Sequence, residues 1–152
     1  MLETFRPLLV AARGVDPGDP SAARELEARL DPKGEAARAL NAELLALLAA
    51  GRIADRGQPP VQWGRVAKAG EATHGFSIDA VVMSAAGPLH RHPNGEFDWC
   101  VALDGAPTFD GRPPGWVVLP PGSEHTPTVE GGRMLVVYLL PEGAIEFLEA
   151  PA

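Results

Sequence analysis

Gly87-Pro88-Leu89-His90-Arg91-His92-Pro93-Asn94-Gly95-Glu96 is the stretch on which the fold turns. Side chains alternate in extended backbone, so His90 and His92 share one face and present two imidazoles to one ion. Pro93-Asn94-Gly95 forces a turn, after which Glu96 returns toward the same place from the next strand as an oxygen donor. A later turn, Pro120-Pro121-Gly122, precedes Ser123-Glu124-His125 and offers a third imidazole. Three of the chain's four histidines thus stand beside tight turns, with an acid at ligand spacing. A lone His-x-His on a surface strand means little; here two separated segments agree on one site.

Outward from this stretch, the chain after residue 60 reads as short apolar runs bounded by turn residues, at 61–66, 76–84, 96–103, 115–119, 133–140 and 144–148. Most of the 17 glycines and 16 prolines lie in this part, and no helical pattern interrupts it, which predicts an antiparallel sandwich or barrel. Before it, Phe5, Leu8, Leu9 and Ala12 recur at helical spacing and predict a helix over 2–13. Asp19-Pro20 and Asp31-Pro32 each pair a capping side chain with a proline suited to the first helical position, predicting further helices to about Leu30 and to about Gly51. Helices so short depend on packing, so residues 1–55 are expected as a helical segment on a β domain of residues 56–152.

With 152 residues, 45% hydrophobic and 22% charged, the chain suits one folded core. The net charge of −7 argues against a nucleic-acid partner, which requires a positive face. No stretch approaches a membrane span or a signal peptide, and the single cysteine, Cys100, allows no internal disulfide, so a cytoplasmic location is the expectation.

The two turn-bounded segments resemble the paired motifs of the cupin superfamily: His-x-His and a following Glu, then Pro-x-Gly-x-x-His. The resemblance covers about residues 84 to 129 and implies a cupin-type antiparallel β-barrel (a double-stranded β-helix), mainly β with about three N-terminal α-helices. It makes His90, His92, Glu96 and His125 the implied metal ligands. The sequence departs from the pattern in three places: the glycine before the first histidine is displaced to Gly87, the connection from Gly105 to Gly115 is short, and Val129 replaces a common asparagine. None is a ligand position. Three imidazoles and a carboxylate suit a divalent transition metal ion, with Zn, Fe, Mn, Ni and Cu all compatible.

The whole layout, with its phrase His90-Arg91-His92-Pro93-Asn94-Gly95-Glu96-Phe97-Asp98, also resembles the 4-hydroxylaminobenzoate lyase family. That likeness implies a small aromatic carboxylate as substrate, converted from 4-hydroxylaminobenzoate to 3,4-dihydroxybenzoate with loss of ammonia. Such chemistry needs an acid or base, and Asp98 shares strand parity with Glu96, as does Cys100, which is expected as a small buried hydrophobe. It also needs a cation for the carboxylate, with Arg65 and Arg133 as candidates and Arg91 directed away by alternation. Trp63, Trp99, Trp116 and Tyr138 are candidates for an aromatic wall, Trp99 having the parity of a packing residue, and His74 is expected in a surface turn. A dioxygenase and a non-catalytic binding cupin are the alternatives. A homodimer is expected, because cupin barrels commonly pair.

Overall fold

The computed structural model describes residues 1–148. Among them the helices α1 (Leu2–Ala12), α2 (Ala22–Arg29) and α3 (Glu35–Ala49) come first. The strands follow: β1 (Arg56–Gln58), β2 (Val61–Ala67), β3 (Phe76–Met83), β4 (His90–His92), β5 (Glu96–Phe109), β6 (Gly115–Leu119), β7 (Ser123–His125), β8 (Val129–Pro141) and β9 (Glu146–Phe147). No helix among the described residues is long and apolar enough to cross a membrane.

Both Asp-Pro helix starts lie a few residues later than their sequences suggest. Asp19 accepts bonds from the Ser21 amide and hydroxyl, and Asp31 accepts one from the Lys33 amide. Each aspartate closes a local turn with its own backbone, a competing use of these side chains, and the helix begins only after it.

The strands form two antiparallel sheets: a large one in the order β1-β2-β3-β8-β5-β6 and a small one in the order β7-β4-β9. The expected barrel is therefore realised as two sheets that meet through side chains rather than as one closed hydrogen-bonded cylinder. Pro88, Pro93, Pro120, Pro121 and Pro127 flank the short strands of the small sheet; lacking an amide proton, they end its ladders early.

Alternation along the large sheet sorts its residues into two sets. Phe97, Trp99, Val101, Leu135, Val137, Leu139, Ile78, Ala80 and Val82 join Phe5, Leu8, Leu26, Leu40 and Leu44 in one buried cluster beneath the helices. Trp99 and Trp116 anchor that layer. Their rings meet edge to face at 5.0 Å, Trp99 Nε1–H donates to Asn41 Oδ1 at 2.8 Å, and Trp116 Nε1–H donates to the Leu30 carbonyl at 3.1 Å. Burying these side chains on one face stabilises each by roughly 1.5–3 kcal/mol relative to exposure. The opposite, inner face carries Cys100, Val117, Leu119, Met134, Val136 and Tyr138, with Met83 and Phe109.

Strands β5 and β8 run well beyond their predicted limits. Pro107 and the glycines near it read as a loop, but register shifts between Ala102 and Asp104 and between Gly105 and Thr108 absorb them and bend the pair. The two backbones touch there: a Cβ on Gly132 would fall on the Asp104 carbonyl, so only glycine fits. The bend leads Phe109 and Asp110 back toward the inner face.

Candidate metal centre

The site lies where the two sheets face one another. In the small sheet His90 pairs with His125 across β4 and β7, which places both imidazoles on one side, and His92 follows two residues later. Glu96 starts β5 in the large sheet, immediately after Gly95, whose φ of +82° makes the turn that reverses the chain. A side chain at position 95 would strike Pro17 and the Leu119 carbonyl as well.

The three Nε2 atoms converge. His90 and His92 are 2.9 Å apart, and each lies 3.0 Å from His125. His90 Nδ1–H donates to the Pro88 carbonyl at 3.0 Å, and His125 Nδ1–H donates to Asp110 Oδ2 at 2.6 Å. With their Nδ1 protons so used, the neutral rings of His90 and His125 both turn a bare Nε2 to the centre. The three Nε2 atoms then have at most the one proton of His92 between them, an arrangement that a cation resolves. Ligands about 2.1 Å from one ion stand about 3.0 Å apart at right angles and about 3.4 Å apart at tetrahedral angles. The observed spacing of 2.9–3.0 Å lets all three nitrogens reach one shared ion. Glu96 Oε2 approaches from the facing sheet, 3.3 Å from His92 Nε2 and 4.0 Å from His125 Nε2, and has no hydrogen-bond donor of its own. The donor set fits a divalent transition metal.

Burial dominates the electrostatics. It lowers His90, and together with the neighbouring imidazoles it brings His92 down to about 3. Burial and the nearby Asp98 hold Glu96 well above the ordinary carboxylate range, and burial holds Asp98 there too. Asp98 is fully buried, with the Glu96 carboxyl as its hydrogen-bonding neighbour. Burial would also raise Asp110, but the bonds from His125 and the Thr128 amide outweigh it and hold that carboxylate below its usual value. Tyr138 is pushed well up by burial and by Glu96 and Asp98.

The other predicted residues divide by face. Arg65, Asp79, Tyr138 and Asp98 are successive register partners across β2, β3, β8 and β5, so they form one row on the inner face. Arg65 forms a bidentate pair with Asp79 and is partly exposed. Trp63 is two residues from Arg65 on the same face, 48% exposed, with the Arg56 guanidinium 5.5 Å from its ring centre. Tyr138 lines the inner cluster, with its hydroxyl 3.7 Å from Met83 Sδ.

Arg133 is not brought to the site: it alternates with inward Met134 and binds Asp104 at 2.6 Å near the surface. Trp99 and Trp116 belong to the helix side, as parity indicates for Trp99. Arg91 faces away from the imidazoles and pairs with Glu124 and Glu146. His74 occupies a surface turn with φ +53°, and Cys100 is buried on the inner face.

Asp110 was not singled out by sequence. The available signal was Asp110-Gly111, the pair favoured in a two-residue hairpin turn. Both residues have positive φ, and Phe109 and Arg112 exchange backbone bonds across them.

Two facing antiparallel sheets with three imidazoles and a carboxylate between them define a cupin. A family model described as PnbB, 4-hydroxylaminobenzoate lyase, matches residues 9–147. The chain belongs to that family. It is 33% identical over 97 residues to a 4-hydroxylaminobenzoate lyase of Nocardioides sp. (strain LMS-CY), covering 59% of this chain and 57% of that protein. It is 31% identical over 77 residues to one of Pseudomonas putida, covering 48% and 44%. The chain thus spans about half the length of these curated relatives. Among solved structures, an RmlC-like cupin protein of Ralstonia eutropha JMP134 aligns with a TM-score of 0.45 at 16% identity, over 60% of this chain and 62% of that one.

Proposed function

We propose that the protein is a metal-dependent lyase that converts 4-hydroxylaminobenzoate and water to 3,4-dihydroxybenzoate and ammonia. The family match supports this chemistry, and one observation within the site carries it: Asp98, a fully buried acid, neighbours the Glu96 carboxyl that meets a cluster of three imidazoles able to hold a cation. The balance is redox-neutral, with the N–O bond, the C–N bond and one ring C–H bond breaking, two C–O bonds forming and one water consumed.

His90, His92, His125 and Glu96 are the residues that would hold the ion. A divalent ion there supplies a Lewis acid for the hydroxylamine oxygen or for water. Burial shifts Asp98 toward its protonated form, from which it can give a proton to the departing oxygen or nitrogen; once ionised it can take one back as the ring regains aromaticity. Tyr138 and the apolar residues of the inner face exclude water from the ring. Arg65, held in place by Asp79 through Nε and Nη2, takes the substrate carboxylate with Nη1. It lies three strand steps from Asp98, about 14 Å between backbones at about 4.8 Å per step, which an arginine side chain and a para-substituted benzoate together span. Trp63 borders the same open end of the row.

The test is anaerobic incubation of the metal-replete full chain with 4-hydroxylaminobenzoate, following ammonia and the catechol product. Equal amounts of both are expected. Dependence on oxygen would make the protein a dioxygenase instead. Substrate binding without ammonia, whichever divalent ion is loaded, would make it a non-catalytic binder and overturn the proposal.

A further inference from the structure

We propose that Asp110 is a positioning residue for this centre: its bond to Nδ1 fixes the tautomer and ring orientation in which His125 serves as a ligand. The assignment rests on the proposal that the imidazole cluster holds a metal ion. It concerns how the protein prepares one ligand.

Asp110 is itself held rigidly. Its Oδ2 accepts from His125 Nδ1–H at 2.6 Å, its Oδ1 accepts from the Thr128 amide at 2.9 Å, and its own amide donates to the Thr128 carbonyl at 2.9 Å. With both oxygens engaged and the backbone pinned to a residue three positions after His125, the carboxylate cannot swing away from the ring. The route to this place is long, since β5 must bend at two register shifts before the turn at Asp110-Gly111 delivers the carboxylate.

The other two imidazoles are treated differently. His90 Nδ1 has only the neutral Pro88 carbonyl, and His92 Nδ1 is buried with no hydrogen-bond partner. Of the three Nδ1 atoms only that of His125 has an anionic partner, and His125 comes from β7, the strand remote in sequence from the His-x-His pair. A carboxylate behind a metal-bound imidazole orients the ring and makes its ligating nitrogen more basic, and removing such partners costs about 10- to 100-fold in metal affinity.

The experiment uses the full chain labelled with 15N-histidine and stripped of metal by chelator. Long-range 15N–1H correlations at alkaline pH report the tautomer of His125, and Co2+ titration followed by visible absorption reports affinity. In the wild type His125 is expected as the Nδ1–H tautomer. In Asp110→Ala it shifts toward Nε2–H, and the Co2+ dissociation constant rises about 10- to 100-fold. Asp104→Asn, which removes a surface acid remote from the imidazoles, leaves both unchanged. Asp110→Asn retains a side chain that tolerates the left-handed backbone and decides the matter if the alanine variant fails to fold.

An Nε2–H tautomer in the wild type would overturn the assignment. So would affinity within about two-fold of wild type in folded Asp110 variants. Failure of the wild type to bind Co2+ removes the metal centre and this assignment with it. Co2+ binding without ammonia release removes the lyase activity and leaves the role of Asp110 intact.

Discussion

Asp98→Val removes a fully buried carboxyl whose hydrogen-bonding neighbour is the equally buried Glu96 carboxyl. Burying a carboxyl with its hydrogen-bonding capacity only partly met costs about 1–3 kcal/mol. Valine has similar bulk, suits a strand, and would lie in a row with Val117 and Tyr138. Taking about 2 kcal/mol as the gain, and about 2–4 °C per kcal/mol for a chain of this size, the metal-free variant should melt about 4–8 °C above the wild type. The gain should also depend on pH. Burial raises Asp98 above its ordinary 3.8, so the folded wild type holds a proton that the unfolded chain releases. Wild-type stability is therefore undiminished on this account below pH 3.8 and falls as pH rises above it, a slope that the valine variant lacks. Thermal unfolding of both metal-free proteins across the acid-to-neutral range measures the gain and its slope, and ammonia release from the metal-loaded variant should be abolished. A variant less stable than the wild type, or one that turns over substrate at the wild-type rate, would refute the reasoning.

Three further outcomes are expected. His92, lowered from 6.5 to about 3, takes up fewer protons folded than unfolded below pH 6.5, so its contribution is lost as pH falls toward 3. At about 1.36 kcal/mol per pH unit, bringing metal-free protein to about pH 5 costs about 2 kcal/mol through this residue. The stability difference between wild type and His92→Gln should shrink by that amount in urea titrations, and parallel behaviour would count against it. Trp99→Phe leaves Asn41 Oδ1 without its donor and a gap against Trp116, and should lower unfolding free energy by about 2–4 kcal/mol; a loss under about 1 kcal/mol would show that the helical layer is held elsewhere. Chelation should depress the melting temperature and stop ammonia release, both restored by adding back a divalent transition ion. Full activity after exhaustive chelation would contradict the proposed centre.

Much of the site was legible because its signals are local. Two histidines two residues apart, a proline-glycine turn and an acid just beyond it leave the backbone few ways to place them. Parity along β5 was equally plain, since Trp99 and Glu96 must face opposite ways once the run is extended. Asp110 was hidden because its contact depends on where two register shifts bend a strand whose Gly105 and Pro107 look like loop residues. The helix starts were misjudged because Asp19 and Asp31 turn to the nearest amide rather than to the helix end. Arg133 could not be distinguished from Arg65 by residue type; only the ladder shows that one alternates with inward Met134 while the other shares a row with Asp98.

The alternation along β5 also bears on how such a protein can change. Cys100 falls in the inner cluster and Glu96 reaches the imidazoles, whereas Phe97, Trp99 and Val101 fall in the cluster beneath the helices. Exchanging an even-numbered residue between 96 and 100 can therefore alter reactivity while the scaffold keeps its attachment to the helices. An inserted or deleted residue in that same stretch would drive the Trp99 indole toward the imidazoles and acids under the helices, so this strand can accept new letters but not a new length.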